Sequence, residues 1–163
     1  MQNITHSDEK TKDFGKKIAP SLRGGDVICL YGELGAGKTT LVKGIAEGLG
    51  ITEEITSPTF TLMNVYGIKT TDHSLQTTAN PSHSAVVRSP STVVRLVHID
   101  TYRLKNEQEL IGIGVEDYLG QPDTVTIVEW PEKIEGLLKG KRVTKIKLKH
   151  REKDERSIRV ENF

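Results

Sequence analysis

Residues 32–39 read Gly32-Glu33-Leu34-Gly35-Ala36-Gly37-Lys38-Thr39, which matches the phosphate-binding pattern G-x-x-x-x-G-K-[ST] at every fixed position. The flanking sequence is the one that this motif requires. A short apolar run at 26–31 predicts a buried strand before the loop. Apolar residues at helical spacing after the loop predict a helix that ends near Gly50. A strand, a glycine-rich loop and a helix in this order predict a nucleotide-binding site.

The motif assigns a role to each of its polar residues. Backbone N–H groups of a curled glycine-rich loop point at phosphate oxygens, and the helix N-terminus adds a partial positive charge. Lys38 then reaches the β- and γ-phosphates, and the Thr39 hydroxyl binds Mg²⁺. We therefore expect the loop and the start of its helix to supply these ATP contacts: Glu33, Leu34, Gly35, Ala36, Gly37, Lys38, Thr39 and Thr40.

Length and composition predict one ordinary globular domain over residues 1–163. Hydrophobic residues make up 35% of the chain and charged residues 28%. No apolar run approaches the ~20 residues of a membrane span. The first 17 residues carry acids and lack the apolar segment of a signal peptide, so the cytoplasm is the expected compartment. Cys29 is the only cysteine, which excludes an internal disulfide and favours a role as a core residue.

Strands and helices are predicted to alternate along the chain. Ser7 is a candidate cap for a first helix, and Asn106 for a helix that begins near Glu107. Further strands are expected at 93–99 and 124–128, and a hairpin at 142–150 and 156–162. The expected fold is α/β: a P-loop NTPase core with a mainly parallel sheet, flanked by helices, with an antiparallel C-terminal edge hairpin.

The segment 68–95 differs from the rest in composition. Ten of its 28 residues are Ser or Thr, and two are Pro. We expect a polar surface loop or a disordered excursion within the single domain, and no second domain. His73 and His83 lie in this segment without a cysteine or a close acidic partner, which argues against a metal site there.

Two carboxylates follow predicted strands. Asp100 comes directly after the strand at 93–99, and Glu129 directly after the strand at 124–128. Because ligands of open α/β sheets bind at the carboxyl ends of the strands, both should lie near the loop. We expect Lys38, Asp100 and Glu129 to be catalytic, and Thr39, Asp100 and Glu129 to be the candidate Mg²⁺ ligands. The alternative for Asp100 is an ordinary aspartate in a turn. The alternative for Glu129 is an acidic residue at the start of a helix, before Pro131.

Two other residues are candidate contacts for ATP. Thr59 lies on a proline-stiffened loop, at a place where P-loop switch proteins carry a threonine that senses the γ-phosphate. Trp130 is the only tryptophan and is expected either to stack on a base or to cap the core. The chain lacks the N-K-x-D run of guanine-specific proteins, which favours adenine. His98 is interpreted as a structural histidine.

Four stretches in this order resemble the TsaE family: Gly32–Thr40, Ser57-Pro58-Thr59-Phe60-Thr61-Leu62, His98-Ile99-Asp100-Thr101-Tyr102-Arg103-Leu104 and Val128-Glu129-Trp130. That family is the P-loop ATPase of bacterial tRNA threonylcarbamoyladenosine biosynthesis. The resemblance implies that ATP and Mg²⁺ are the cofactors, that a TsaB–TsaD complex is the partner, and that tRNA is met through that complex. It assigns Lys38 and Thr39 to ATP and Mg²⁺, Glu129 to Mg²⁺, and essential roles to Asp100 and Thr59. It also supports a functional role for Trp130.

Two other functions share the same motif. A small-molecule kinase normally adds an arginine-bearing lid, and here only Arg88 and Arg95 lie in the candidate lid segment. A nucleotide-gated binding module with negligible hydrolysis needs the same ligands as a slow ATPase. Slow hydrolysis in isolation is expected because the Thr59 loop carries no arginine to neutralise charge on the γ-phosphate. Arg103 is the nearest candidate, and the alternative is that it anchors the loop.

The C-terminal segment is basic, with ten Lys or Arg against three Asp or Glu between positions 139 and 159. Lysines on an edge hairpin oppose sheet-to-sheet aggregation, which is the favoured interpretation. A docking face for tRNA or an acidic partner is the alternative.

Overall fold

A computed structural model describes residues 2–68 and 93–162 of the chain. Within these residues, seven strands form one sheet in the order β1-β7-β6-β2-β5-β4-β3. The strands are β1 Gln2–Thr5, β2 Asp26–Tyr31, β3 Met63–Gly67, β4 Arg95–Asp100, β5 Thr124–Glu129, β6 Arg142–His150 and β7 Arg156–Asn162. The helices are α1 Asp8–Ile18, α2 Lys38–Gly48, α3 Glu107–Gly112 and α4 Glu135–Leu138. Three short 3-10 turns cover Ala19–Ser21, Val115–Asp117 and Pro131–Ile134.

The centre of the sheet is parallel, as the sequence predicts. The strand β2 pairs in parallel with β5 on one side and with β6 on the other, and β5 pairs in parallel with β4. All six residues of β5 are buried, which fits a strand covered on both faces. Asp100 is paired with Glu129, and Leu30 is also paired with Glu129. The register therefore places both predicted carboxylates beside the end of β2, where the glycine-rich loop begins.

Both margins of the sheet are antiparallel, so the sheet is mixed. The strand β3 pairs with β4 at one margin, and the predicted hairpin β6–β7 is present at the other. The hairpin is not the edge, because β1 pairs with β7 outside it. Only four residues long, β1 has no apolar pattern of its own, so the sequence gives no signal for it.

Two helices, α1 and α2, pack closely on one face of the sheet. The Ser7 hydroxyl accepts a hydrogen bond of 3.1 Å from the Lys10 N–H, which confirms the predicted cap of α1. Gly44 of α2 lies directly against α1: a Cβ at this position would meet the Lys12 carbonyl oxygen at 2.1 Å. Glycine is needed here for helix-to-helix approach, and this contact fixes the N-terminus of α1 beside that of α2.

The hydrophobic core has two parts, one on each face of the sheet. The α1–α2 side is packed around residues of β2, β5 and α2, including Ile28, Leu30, Leu41, Ile45 and Ile127. The other side is covered by α3 and the 3-10 turns, with Ile99, Leu110, Val128 and Ile134 fully buried. Cys29 belongs to this second part and is fully buried, as expected for a core residue.

The ends of the predicted insertion join the sheet. The Ile68 N–H donates to the Val94 carbonyl at 2.9 Å, and β4 begins at Arg95. The central part of the insertion, residues 69–92, lies outside the described residues, as do His73, His83 and Arg88. Over residues 2–68 and 93–162, no helix has the length and apolar character needed to cross a membrane.

Candidate nucleotide-binding site

A cavity of about 510 Å³ opens at the carboxyl ends of the central strands. Most of the sequence-predicted site residues line it: Leu34, Gly35, Gly37, Lys38, Thr39, Thr40, Thr59, Asp100, Glu129 and Trp130. Two predicted ATP contacts do not. Ala36 is packed into the core, and Glu33 lines a separate small cavity with Leu148, Lys149 and His150. A loop residue still contacts a ligand through its backbone N–H, so these two positions stay predictions.

The glycine-rich loop curls where α2 begins. Gly35 and Gly37 have φ of 77° and 95°, in the left-handed region that favours glycine. Gly37 directly precedes Lys38, the first residue of α2. The loop therefore presents the unpaired N–H groups of the first turn of α2 at the cavity, which is the arrangement that binds phosphate.

The Lys38 side chain is buried and bridges the loop. Its ammonium donates to the carbonyls of Gly32 at 2.7 Å and Glu33 at 2.9 Å. Burial lowers the pKa of Lys38, and the nearby Glu129 and Asp100 carboxylates oppose that shift. The ammonium also lies 4.0 Å from the centre of the Trp130 ring. Lys38 is thus a cation held in place by two backbone carbonyls, which phosphate oxygens can replace.

Thr39 and Glu129 form a hydroxyl–carboxylate pair beside this cation. The Thr39 hydroxyl donates to Glu129 Oε1 at 3.0 Å. The same oxygen lies 2.9 Å from Nε2 of His98, a fully buried side chain. The tautomer of His98 with its proton on Nε2 fits both this bond and the lack of a partner for Nδ1 among the described residues. His98 therefore orients the Glu129 carboxylate, a role that follows from its position on β4 facing β5.

Asp100 has different partners. Its Oδ2 accepts from the hydroxyls of Thr59 at 2.5 Å and Ser57 at 3.3 Å. Its Oδ1 accepts from the Tyr102 N–H at 2.9 Å. Asp100 thus ties the loop before β3 to the end of β4, and Thr59 lines the cavity. The predicted contact of Thr59 with ATP stays a prediction.

Trp130 adopts a left-handed backbone conformation, with φ 59° and ψ 49°. Thr101 fixes this turn, because its N–H donates to the Glu129 carbonyl at 3.1 Å and its hydroxyl donates to the Trp130 carbonyl. The indole is thereby directed at the Lys38 ammonium on one side and lies 5.2 Å from the Tyr102 ring. The two predicted roles for Trp130 are stacking on a base and capping the core. The structure places the ring in the wall of the cavity, and its contact with a base stays a prediction.

Arg156 is a cavity residue that the sequence does not reveal. It is the first residue of β7, and it lines the cavity together with Asp8 of α1. The two side chains form an ion pair of 2.6 Å. Neither belongs to a recognisable motif, and both reach the loop only because β7 and α1 fold back towards it. We call Asp8 and Arg156 the arginine end of the cavity, and Thr39, Asp100 and Glu129 its carboxylate end.

Other arginines are occupied elsewhere. The Arg103 guanidinium lies 4.3 Å from the centre of the exposed Phe60 ring at the cavity mouth. Arg95 forms an ion pair with Asp123 at 2.7 Å, at the start of β4 and far along the strand from Asp100. In the part of the chain that the structure describes, therefore, Arg95 is not a lid over the loop.

The carboxylate end supplies some, but not all, of the ligands that Mg²⁺ needs. The described residues contain no group of three or more His, Cys, Asp or Glu side chains arranged to hold a metal. A threonine hydroxyl and one carboxylate fit the Mg²⁺ site of P-loop proteins, where nucleotide phosphates and water complete the octahedron. The residues present therefore fit Mg²⁺ that binds together with a nucleotide, and not a resident metal.

Comparisons with known proteins give one consistent family. The model of the family described as "Threonylcarbamoyl adenosine biosynthesis protein TsaE" matches residues 5–158. The chain is similar to the "tRNA threonylcarbamoyladenosine biosynthesis protein TsaE" of Bacillus subtilis, with 38% identity over 94% of this chain and 80% of the relative. The protein of the same name from Treponema pallidum is 35% identical over 82% of this chain and 81% of its own length. The crystal structure of Bacillus subtilis YdiB is similar with a TM-score of 0.66 and 33% identity, covering 97% of this chain and 82% of that one.

Proposed function

The chain belongs to the TsaE family, and from this premise we propose that it binds and hydrolyses ATP with Mg²⁺ in the formation of threonylcarbamoyladenosine on tRNA. The observation that carries the proposal is the Thr39–Glu129 pair, 3.0 Å apart, beside the buried Lys38 ammonium in one cavity. A hydroxyl, a carboxylate and a cation at a helix N-terminus are what a Mg²⁺-bound triphosphate requires.

Lys38 and the loop bind the triphosphate. The ammonium exchanges its two carbonyl partners for β- and γ-phosphate oxygens, which are charged and therefore stronger acceptors. Burial removes water from the ammonium and so lowers the pKa of Lys38, and phosphate oxygens would compensate for this loss as negatively charged acceptors. The Trp130 ring excludes water from one side of the cation.

Glu129 is the carboxylate that we assign to the metal. It shares Oε1 with Thr39 and His98, and among the described residues Oε2 has no hydrogen-bond partner. Thr39 and Glu129 would hold a Mg²⁺ ion here, which would supply positive charge against the negative charge that develops during phosphoryl transfer. His98 keeps the carboxylate from turning away.

Asp100 is assigned to the loop that carries Thr59. Because Asp100 accepts from both Ser57 and Thr59, it fixes that loop against the cavity. Thr59 then faces the expected position of the γ-phosphate, where a hydroxyl can orient the attacking water. Asp100 therefore acts on this loop and on the position of Thr59.

Slow hydrolysis in isolation follows from the absence of a free arginine beside the γ-phosphate position among residues 2–68 and 93–162. Arg103 lies over Phe60, and Arg156 lies at the opposite end of the cavity. In P-loop switches a cation supplied by a partner raises the rate by ~10³–10⁵. By resemblance we propose TsaB–TsaD as the partner, with tRNA met through that complex.

The mouth of the cavity offers a surface for such a partner. Leu34, Phe60 and Tyr102 line the cavity and are 79%, 81% and 45% exposed. Large apolar side chains exposed around one opening favour a protein contact. A partner on this rim would sense whether the Thr59 loop is closed over ATP.

The test is an assay of ATP hydrolysis by the purified chain, with and without Mg²⁺ and with and without TsaB–TsaD. We expect slow hydrolysis that requires Mg²⁺ and is accelerated by the partner, whose association is stronger with ATP than with ADP. ATP binding without hydrolysis under every condition would instead support a binding module. Association that is equal with ATP, ADP and no nucleotide would reject the coupling.

A further inference from the structure

Arg156 is a buried charge whose hydrogen bonding is incomplete. Its side chain is only 10% exposed. One terminal nitrogen pairs with Asp8 at 2.6 Å, and the other donates to the Asp154 carbonyl at 2.9 Å. Its Nε is buried and finds no acceptor anywhere in residues 2–68 and 93–162. An unsatisfied buried N–H is costly, so such a group calls for an acceptor that the structure does not contain.

The guanidinium stem lies against the phosphate-binding loop. A Cβ added to Gly37 would come within 2.9 Å of both Cδ and Nε of Arg156. Gly37 immediately precedes Lys38, and both residues line the cavity that Arg156 also lines. The unsatisfied N–H is therefore next to the loop backbone that is expected to bind phosphate.

The strand order determines which part of a bound nucleotide would lie near Arg156. The strands that carry Glu129 and Asp100, β5 and β4, lie on one side of β2, whereas β6 and β7 lie on the other. A Mg²⁺ ion held by Thr39 and Glu129 would bind the terminal phosphates, so the β- and γ-phosphates would lie at the carboxylate end. The α-phosphate and the nucleoside then extend towards the arginine end.

We propose that Arg156 is a second phosphate-binding cation, which donates to the α-phosphate of the nucleotide. This inference rests on the proposed binding of ATP at the loop. The planar guanidinium matches the geometry of two phosphate oxygens, and Nε with one terminal nitrogen forms the matching donor pair. The phosphate replaces Asp8 as the anionic partner of Arg156.

Asp8 is suited to being released. Its side chain is 71% exposed, so the freed carboxylate turns into water without a buried charge being left behind. It also lies in the first turn of α1, where the helix dipole favours an acid without any partner. In the absence of nucleotide, Asp8 neutralises Arg156; with nucleotide bound, its carboxylate repels the phosphate unless it moves.

The alternative is a purely structural ion pair that ties α1 to β7. The two interpretations differ in the effect of removing Asp8. If the pair only braces the fold, Asp8→Asn and Arg156→Gln weaken nucleotide binding alike. If Arg156 binds phosphate, Asp8→Asn removes a competitor for the guanidinium and Arg156→Gln removes the guanidinium itself.

The experiment is calorimetric titration of MgATP and MgADP into the wild type, Arg156→Gln, Arg156→Lys and Asp8→Asn, with a thermal melt of each protein. We expect Arg156→Gln to raise the Kd of ATP and of ADP by the same factor, about tenfold or more, as for the loss of one charge-assisted hydrogen bond. Asp8→Asn should leave both Kd values unchanged or lower, and Arg156→Lys should lie between wild type and Gln.

Three results would overturn the inference. The first is Arg156→Gln with wild-type Kd values, and the second is Asp8→Asn as weak a binder as Arg156→Gln. The third is a defect confined to ATP, which would place the guanidinium at the γ-phosphate. If Arg156→Gln does not fold, Arg156→Lys and Asp8→Asn decide between the same alternatives. Wild-type protein that binds neither nucleotide would instead refute the proposed function.

Discussion

The two ends of the cavity are built in different ways. At the carboxylate end, Asp100 and Glu129 close neighbouring parallel strands, and Thr39 lies one residue into the helix that follows the loop. At the arginine end, Asp8 and Arg156 come from a helix near the start of the chain and from the last strand. The first set is positioned by the sheet itself, whereas the second meets only because β7 and α1 fold over the loop.

The two ends also differ in how their charges are satisfied. The Thr39 hydroxyl and the His98 imidazole both bind Oε1 of Glu129. The carboxylate can therefore still bind a cation through its other oxygen. The Arg156 guanidinium is already paired, with one N–H to spare among the described residues. The carboxylate end is therefore expected to determine metal-dependent hydrolysis, and the arginine end is expected to determine nucleotide affinity.

Replacing Lys38 should produce the largest effect, because its buried ammonium is the cation that the loop itself supplies to the β- and γ-phosphates. We predict that Lys38→Ala abolishes ATP turnover, with a loss on the order of 2–4 kcal/mol in the transition state. Lys43→Ala, an exposed lysine one turn along α2, is the matched control and should behave as wild type. Steady-state hydrolysis checks both, and normal turnover by Lys38→Ala would refute the role of the loop.

Variants of the two carboxylates should separate their functions. Glu129→Gln is expected to lower hydrolysis by about a hundredfold, on the scale of one lost transition-state contact, and to raise the Mg²⁺ concentration required. Asp100→Asn should lower turnover while leaving the Mg²⁺ requirement close to that of wild type, because Asp100 holds Ser57 and Thr59. Normal hydrolysis by both variants would mean that the site lies elsewhere.

The carboxylate end was predictable from sequence for a physical reason. A parallel strand buried on both faces is a short apolar run, and the polar residue that follows it lies at the ligand-binding edge. This rule identifies Asp100 and Glu129, and the motif identifies Lys38 and Thr39. For Thr59 the sequence predicts only a position near the site. Its hydrogen bond to Asp100 is seen in the structure alone.

The arginine end was not predictable in the same way. Arg156 lies among many basic residues, and nothing local distinguishes it from exposed neighbours such as Arg159. Its burial depends on the position of α1, whose Asp8 pairs with it, and on β1, a strand with no sequence signal that pairs with β7. His98 was interpreted as a structural histidine. It is fully buried, but its bond to Glu129 depends on the β4–β5 register, which the sequence does not specify.

Two glycines of the loop provide a test of the contact between the loop and Arg156. Both have positive φ, so Ala at either position costs about 1–2 kcal/mol of backbone strain. A Cβ at Gly37 also meets Arg156 at 2.9 Å, whereas a Cβ at Gly35 meets nothing within 4 Å. Gly37→Ala should therefore lower both the melting temperature and the affinity for ATP more than Gly35→Ala. Equal losses would show that Arg156 does not press on the loop.

The strand β2, which leads into the loop, should show a smaller, pH-dependent effect. Burial raises the pKa of the Cys29 thiol to about 12 from 9.0, and that of Tyr31 to about 12 from 10.0. The unfolded chain then loses these protons first, so the free energy of unfolding falls as the pH rises from 9 towards 12. At pH 10 the Cys29 contribution lost is about 1 kcal/mol. Urea unfolding against pH checks this, and Cys29→Ala should show a shallower decline; an unchanged slope would contradict it.

The most direct test of the two-ended cavity is a crystal structure with Mg²⁺ and a non-hydrolysable ATP analogue. We expect the γ-phosphate at Lys38 and the metal between the phosphates, Thr39 and Glu129. We also expect the α-phosphate at Arg156, with Asp8 turned away. A triphosphate bound in the opposite direction, a metal held by Asp100 without Glu129, or a nucleotide outside this cavity would contradict it.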